Sequence, residues 1–412
     1  MRGLLSLGLL LVASTASAQQ APQYGVRSPP PQPPQYGVKP APFAATPYVF
    51  DTAEQHGIKV TVLAKGFKRP FGMAFLPGGD LLISERGADL RIVHNPTSAS
   101  PALDPNPVPG MPKTGRGGLH DIALHPDFAR NHWLYFTYLD DAPDGPLVDG
   151  TTHRSFLTLK RGKFEDGRLT GVETLVKGGS SWPTASRVQF GKDGKVWVTS
   201  GGPFDNQSQD LGSFYGKVLR FNDDGSIPAD NPFVGKAGAN PAVYSYGHRD
   251  QHGLAIHPVT GQVFTAEHGP NGGDELNLIK PGRNYGWPTY TYGRSYDGSE
   301  ISALPLARGI EKPLVVWLPS IAPGSILFYE GDKFPAWKGN LFVASARRGE
   351  VNGTGGLERV VFNDSLGELR RETLLTQLGK RVRDVVQGPD GNIYLVTDGD
   401  EVALLRIEPS DK

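Results

Sequence analysis

The chain has 412 residues, 42 basic and 42 acidic side chains, 53 glycines, 36 prolines and no cysteine. The zero net charge argues against a nucleic-acid scaffold, whose footprint is a basic excess. The lack of cysteine excludes disulfides, thiolate metal sites and cysteine catalysis. Glycine and proline stand at roughly twice average usage, which calls for many tight turns or a disordered tract.

Arg2, the apolar run from Leu4 to Val12 and the small-x-small site Ala16-Ser17-Ala18 read as a cleavable secretory signal peptide over residues 1–18. Its apolar part is too short to span a bilayer. No later stretch is long and apolar enough to do so. The expectation is a periplasmic or secreted protein with no transmembrane segment. Residues 19–46 hold Pro29-Pro30-Pro31, Pro33-Pro34 and two copies of Gln-Tyr-Gly-Val, and read as an extended Pro-rich disordered linker. The domain proper is expected over residues 47–412.

From Phe50 onward one phrase recurs: an apolar alternation, a Pro/Asp/Gly turn, then a second strand rich in Val, Ile, Leu and aromatics. It begins near residues 71, 120, 187, 252, 325 and 383. Asp-Gly and Gly-Gly between alternating runs are hairpin signals, because such turns need positive φ. Self-similarity at this spacing indicates a radial repeat, and six four-stranded units predict an all-β, six-bladed β-propeller. The uneven spacing implies long loops, which gather at the channel mouth where ligands bind.

Three stretches carry chemistry. His248-Arg249-Asp250 places a cation and a carboxylate at a strand-to-loop junction, suited to an anion or a hydroxyl, although a structural Arg–Asp pair accounts for it equally well. Glu267-His268-Gly269-Pro270-Asn271-Gly272-Gly273-Asp274-Glu275 offers three carboxylates and a backbone able to turn carbonyls toward an ion. Hard Ca²⁺ prefers such oxygens; a solvated acidic loop is the alternative. Arg381-Val382-Arg383 sets two guanidinium groups on one strand face, either as a carboxylate clamp or as ordinary surface arginines. No phosphate-cradling loop or nucleophile elbow is present. His120 and His125 read as structural.

Gly117-Gly118-Leu119-His120-Asp121 through Phe128, Gly216-Lys217-Val218-Leu219-Arg220, Tyr246-Gly247-His248-Arg249, Glu267-His268-Gly269-Pro270 through Asn284-Tyr285-Gly286-Trp287-Pro288, Pro319-Ser320-Ile321-Ala322-Pro323 and Arg381-Val382-Arg383-Asp384 occur in order. Together they closely resemble the glucose/sorbosone dehydrogenase family, the soluble quinoprotein aldose sugar dehydrogenases, over about residues 55 to 408. The resemblance implies a six-bladed propeller, a pyrroloquinoline quinone (PQQ) cofactor, Ca²⁺, a periplasmic location and oxidation of a sugar's anomeric hydroxyl to a lactone. In that chemistry a His takes the hydroxyl proton while hydride passes to the quinone, and an Arg stabilises the charge developing on the quinone oxygen.

Carried over by motif, Arg249 is that Arg, with Asp250 beside it at the catalytic and cofactor site. Arg381 and Arg383 hold quinone carboxylates. Glu275, the Tyr285 carbonyl and, as in some relatives, the Gly269 and Pro270 carbonyls bind Ca²⁺. Four positions depart from the family pattern. Arg116 stands for a Gln, Asp250 for an Asn, and Arg347 lies near the place of a Lys. The His that precedes the third repeat's Arg is absent from Ser180-Ser181-Trp182-Pro183-Thr184-Ala185-Ser186-Arg187. Two functions therefore stand side by side. One is a PQQ- and calcium-dependent sugar dehydrogenase acting on a small sugar or oligosaccharide, with its electron acceptor unassigned. The other is a non-redox family propeller that binds or cleaves an acidic carbohydrate.

Overall fold

The six recurring phrases fold as six first strands, Pro70–Phe75, Gly118–Leu124, Val188–Phe190, Asp250–Ile256, Pro323–Phe328 and Arg381–Gln387. The computed structural model describes residues 41–113, 118–142 and 154–410. The expected signal peptide, most of the Pro-rich tract and Arg116 lie outside these residues. Each first strand opens an antiparallel sheet of four strands or more, running outward from the centre. Neighbouring first strands pack on one another around the ring, the sixth against the first. The architecture is a six-bladed β-propeller; the one α-helix among the described residues is a single turn, Phe128–Asn131.

The ring is closed by chain ends from opposite directions. The last blade takes Arg381–Gln387, Ile393–Asp398 and Ala403–Pro409 from the C-terminal side, then Ile58–Lys65 from the N-terminal side, with Tyr48–Phe50 at its edge. Val60 pairs with Ile407, and both side chains are fully buried. Residues 41–46 of the expected linker are also engaged. Phe43 is buried in the core of this blade, its ring facing the Lys65 and Lys380 ammonium groups and its N–H donating to Glu401 at 2.8 Å.

Five of the six first strands carry a register shift near their starts, between Pro70 and Met73, Leu119 and Ile122, Gln251 and Gly253, Pro323 and Ile326, and Val382 and Asp384. A bulge inserts a residue and re-aims its neighbours. Here the bulged residues include Gly72, His120, Asp121, His252 and Arg383. Gly72 is required by closeness, because a Cβ there would lie 2.2 Å from Asp121 Oδ1.

The third strand lacks a bulge; Arg187 precedes it and crosses the channel instead. Its Nη1 lies 3.2 Å from both Asp121 Oδ1 and Asp384 Oδ1, its Nε donates to His252 O at 2.5 Å, and its guanidinium covers the Phe71 ring at 4.4 Å. One cation so ties blades one, two, three, four and six together. Removing one member of a buried ion group leaves the rest uncompensated, at a cost of about 3–5 kcal/mol. Arg187→Met is therefore expected to lower the urea unfolding free energy by about that amount; a loss comparable to that of an exposed substitution would contradict the role of Arg187 as a tie.

Candidate active site

At the mouth, the second and third strands of blade four (Val263–His268 and Asp274–Ile279) put Glu267 directly opposite Glu275. Asn277 Nδ2 donates to both carboxylates at 3.0 Å. Burial pushes the Glu267 carboxyl up to about 8. Burial, with the Glu267 charge adding to it, also raises Glu275 well above the usual carboxylate range. Two opposed buried carboxyl groups are stable only if they share a proton or a cation.

The three carboxylates of this stretch divide their work. Asp274 accepts from the N–H groups of Gly269, Ile321 and Ala322 at 2.7 Å and from Ser320 Oγ at 2.8 Å, so it fixes loops. Glu267 accepts from His248 Nδ1 and the Arg249 N–H. Glu275 is left facing a cavity lined by Glu267, Gly269, Tyr285, Trp287 and Arg249. The loop between the strands folds back tightly: a Cβ on Gly269 would meet Gly272 O at 2.1 Å. Clustered hard oxygens with two carboxyl groups short of a counter-charge fit a Ca²⁺ ion. Of the residues expected at a metal, Glu275, Tyr285 and Gly269 line this cavity, and Pro270 follows on the same loop, packed near Gly293.

Arg249 forms the cavity's other wall. Its guanidinium lies 5.0 Å from the Phe204 ring centre and 5.4 Å from that of Trp287. Nη1 donates to His268 O at 2.8 Å and Nη2 to Tyr296 Oη at 3.2 Å, while the buried Nε has no partner. Asp250, next along, accepts the Ala185 N–H at 2.9 Å and pairs with His252 Nε2 at 3.1 Å. Burial opposes its ionisation, but the adjoining His252, His268 and Arg249 prevail and hold Asp250 far below the usual carboxylate range. It is a fixed anion and a poor base.

His252 joins this group to blade six. Its Nδ1 faces Arg383 Nη1 at 3.4 Å, and Arg383 also binds Asp398 Oδ2 through Nη2 at 2.5 Å. Burial, together with the charges of Arg383 and Arg187, holds His252 below its ordinary range against the pull of Asp250. Arg381 begins the same strand. Burial and the Arg383 charge lower its pKa, and no carboxylate pairs with it among the described residues. Arg347 is near enough to add to that repulsion and is itself paired with Glu350 at 2.9 Å. Arg249, Asp250, Arg381, Arg383 and Arg347 thus converge on one mouth from blades four, five and six.

The sequence reading passed over Phe204 and Tyr296. His268 is the cross-strand partner of Asp250, and its ring stacks on His252 at 4.0 Å and 13°. Asp250, His252 and His268 bring ligand atoms within 4.8 Å of one another. Rings stacked in parallel direct their lone pairs along parallel planes rather than toward one ion, and His268 Nε2 is bonded to Pro323 O at 2.8 Å. The group is a hydrogen-bonded stack, not a metal centre.

The chain matches the model of the Glucose / Sorbosone dehydrogenase family over residues 67–406. It belongs to that family. It is 38% identical over 383 residues to protein slr1608 of Synechocystis, covering 86% of this chain and 88% of that one. It is 34% identical over 364 residues to the aldose sugar dehydrogenase YliI of Escherichia coli, covering 85% and 93%. The PQQ-bound aldose sugar dehydrogenase of Streptomyces coelicolor superposes with a TM-score of 0.63 at 28% identity, covering 85% of this chain and 98% of that one.

His120 gives the site its pH signature. It is buried against Phe71, and neither ring nitrogen has a hydrogen-bond partner. Burial, then the Arg86 charge, hold it well below 6.5. The folded chain keeps it neutral while the unfolded chain protonates it, so stability falls as pH drops below that value, by about 1.4 kcal/mol per pH unit for one proton. In His120→Leu the dependence of unfolding free energy on pH between about 7 and 5 should be shallower by about that slope. An identical dependence in the two proteins would mean that His120 is protonated in the fold.

Proposed function

We propose that this protein is a PQQ- and calcium-dependent sugar dehydrogenase of the periplasm or cell exterior that oxidises an anomeric hydroxyl to a lactone. The observation that carries the reading is the pairing of Arg249 with the Glu267–Glu275 cavity at a mouth ringed by arginines, in a chain of this family. Glu275 and the carbonyls of Gly269, Pro270 and Tyr285 would hold Ca²⁺. Arg381, Arg383, Arg347 and Arg116, the last outside the described residues, would bind the carboxylates of the quinone. When bound, the quinone supplies a two-electron acceptor for the sugar's hydride.

The chain's own residues account for orientation and charge. Arg249, held by its Tyr296 and His268 bonds, presents the unpartnered Nε–H to a developing oxyanion. Phe204 and Trp287 keep water from that guanidinium on two sides. The proton acceptor is the weak part. Pro183 and Thr184 stand where the family has its His, Asp250 is locked as an anion, and both nitrogens of His252 are already engaged. A positioned general base is worth about 10²- to 10⁴-fold in rate. Dye-linked oxidation of aldoses by the reconstituted protein should therefore be slower than in His-bearing relatives by a factor in that range. Turnover matching theirs would mean that another group accepts the proton.

Calcium gives a test independent of turnover. A ligand selective for the native state stabilises it. Added Ca²⁺ should raise the melting temperature of the wild type and have little effect on Glu275→Gln. Titration with PQQ plus Ca²⁺ should then give a bound-quinone absorption band that changes when sugar is added. If no quinone binds, the second reading takes its place: a non-redox propeller whose arginine-rich mouth holds an acidic carbohydrate.

A further inference from the structure

Beyond the cavity, the long connection after Trp287 returns over the mouth as a small hairpin. Ser295 N–H donates to Ser299 O at 2.9 Å and Gly298 N–H to Ser295 O at 2.8 Å, so Tyr296 sits at a tight tip. The hairpin is not free to wander. Asn271 and Arg294 exchange backbone hydrogen bonds at 2.9 and 3.1 Å, and Gly293 packs on Pro270 and Gly272. The tip is thereby fastened to the loop from Gly269 to Gly273, the same loop assigned above to the metal.

From this anchored tip, Tyr296 does two things at once. Its oxygen accepts from Arg249 Nη2 at 3.2 Å, while its ring lies 6.2 Å from the Phe204 ring, tilted by 54°. Yet the residue remains 53% exposed. A half-exposed tyrosine whose polar end is bound inward offers apolar ring surface beside a polar pocket. A pyranose fits such a surface. One face of the sugar ring carries axial C–H groups that pack on an aromatic face, and its equatorial hydroxyls reach sideways to polar groups.

We propose that Tyr296 is a positioning and specificity residue of this site: its ring stacks on the sugar ring, and its oxygen holds Arg249 in orientation toward the reacting oxygen. This rests on the sugar-dehydrogenase reading above and adds to it the surface that recognises the sugar. Through the Asn271–Arg294 pair, the metal loop and Arg249 are set by one hairpin. Leu318, 61% exposed and near Gly272 on the other side of that loop, extends the apolar rim.

The two parts of the proposal separate by substitution. Tyr296→Phe keeps the ring and removes the oxygen; it should lower kcat on the order of tenfold with little change in KM, because a guanidinium N–H loses its acceptor. Tyr296→Leu removes the stacking face as well and should raise KM about three- to tenfold. Tyr296→Trp should keep KM near the wild-type value. All three should melt near the wild-type temperature, since the side chain is half exposed. Unchanged kcat and KM in the Phe and Leu variants of an active protein would overturn this inference and leave the function reading intact. If the wild type binds PQQ but oxidises no aldose, the function reading fails, and saturation-transfer NMR with a panel of neutral aldoses decides the stacking role. Sugar signals present in the wild type and lost in Tyr296→Leu support it; signals equal in both, or absent from both, overturn it.

Discussion

The structure depends on a single buried cation. Arg187 crosses the channel and meets Asp121 from blade two, Asp384 from blade six, the His252 carbonyl from blade four and the Phe71 ring from blade one. Each of those contacts comes from or beside a bulged segment. Burial raises the pKa of both carboxylates, that of Asp384 to about 6, even with Arg187 between them. So the network is not an easy source of stability, and its replacement by apolar groups of equal volume would lose little of it. What it fixes is direction. An apolar plug could rotate; a guanidinium reaching carboxylates on two blades cannot. With the bulges held, His120, His252 and Arg383 take the directions that build the mouth above.

That mouth carries a second constraint of opposite sign. Glu267 and Glu275 are placed opposite each other by ordinary cross-strand register, two residues that would repel if both were ionised. Asn277 donates to both, and His248, neutral in its buried position, lies against Glu267. Among the described residues, the surroundings thus provide hydrogen bonds but no full positive charge in contact with Glu275. Arg249, on the wall of the same cavity, spends its two Nη groups on Tyr296 and the His268 carbonyl. A rigid pair of acids with a hole beside it is the form a metal site takes when its ligands are supported by neighbours rather than by one another.

How much of this could be read from the sequence follows from which interactions are local. The six phrases are local: alternation, a Gly-bearing turn and a second strand specify a hairpin within a dozen or so residues, and all six first strands fall where the phrases begin. The family motifs likewise placed Arg249, Glu275, Tyr285 and Arg383 at one mouth. The bulges were not legible, because one inserted residue in an apolar alternation leaves no mark until the partner strand is known. Ring closure through Ile58–Lys65 was hidden for the same reason, since its partner Ala403–Pro409 lies at the other end of the chain. Phe43 was read as linker because its neighbours are Pro-rich; its burial comes from Lys65, Lys380 and Glu401, none of them adjacent in sequence.

The absent base, His252 and His268 are best understood together. A His at Pro183 or Thr184 would approach the mouth from blade three, on the strand entry whose Ala185 N–H is bound by Asp250. In this chain Asp250 uses its other oxygen on His252, and His252 leans on His268 and Arg383. The anion and its imidazole partner form a closed pair on blade four, with both ring nitrogens of His252 engaged. Freeing one would require Arg383 to turn away from His252 Nδ1. With both engaged, the pair offers a substrate hydroxyl no basic nitrogen. A His placed at Pro183 or Thr184 would therefore add an imidazole that is not part of the Asp250–His252 pair.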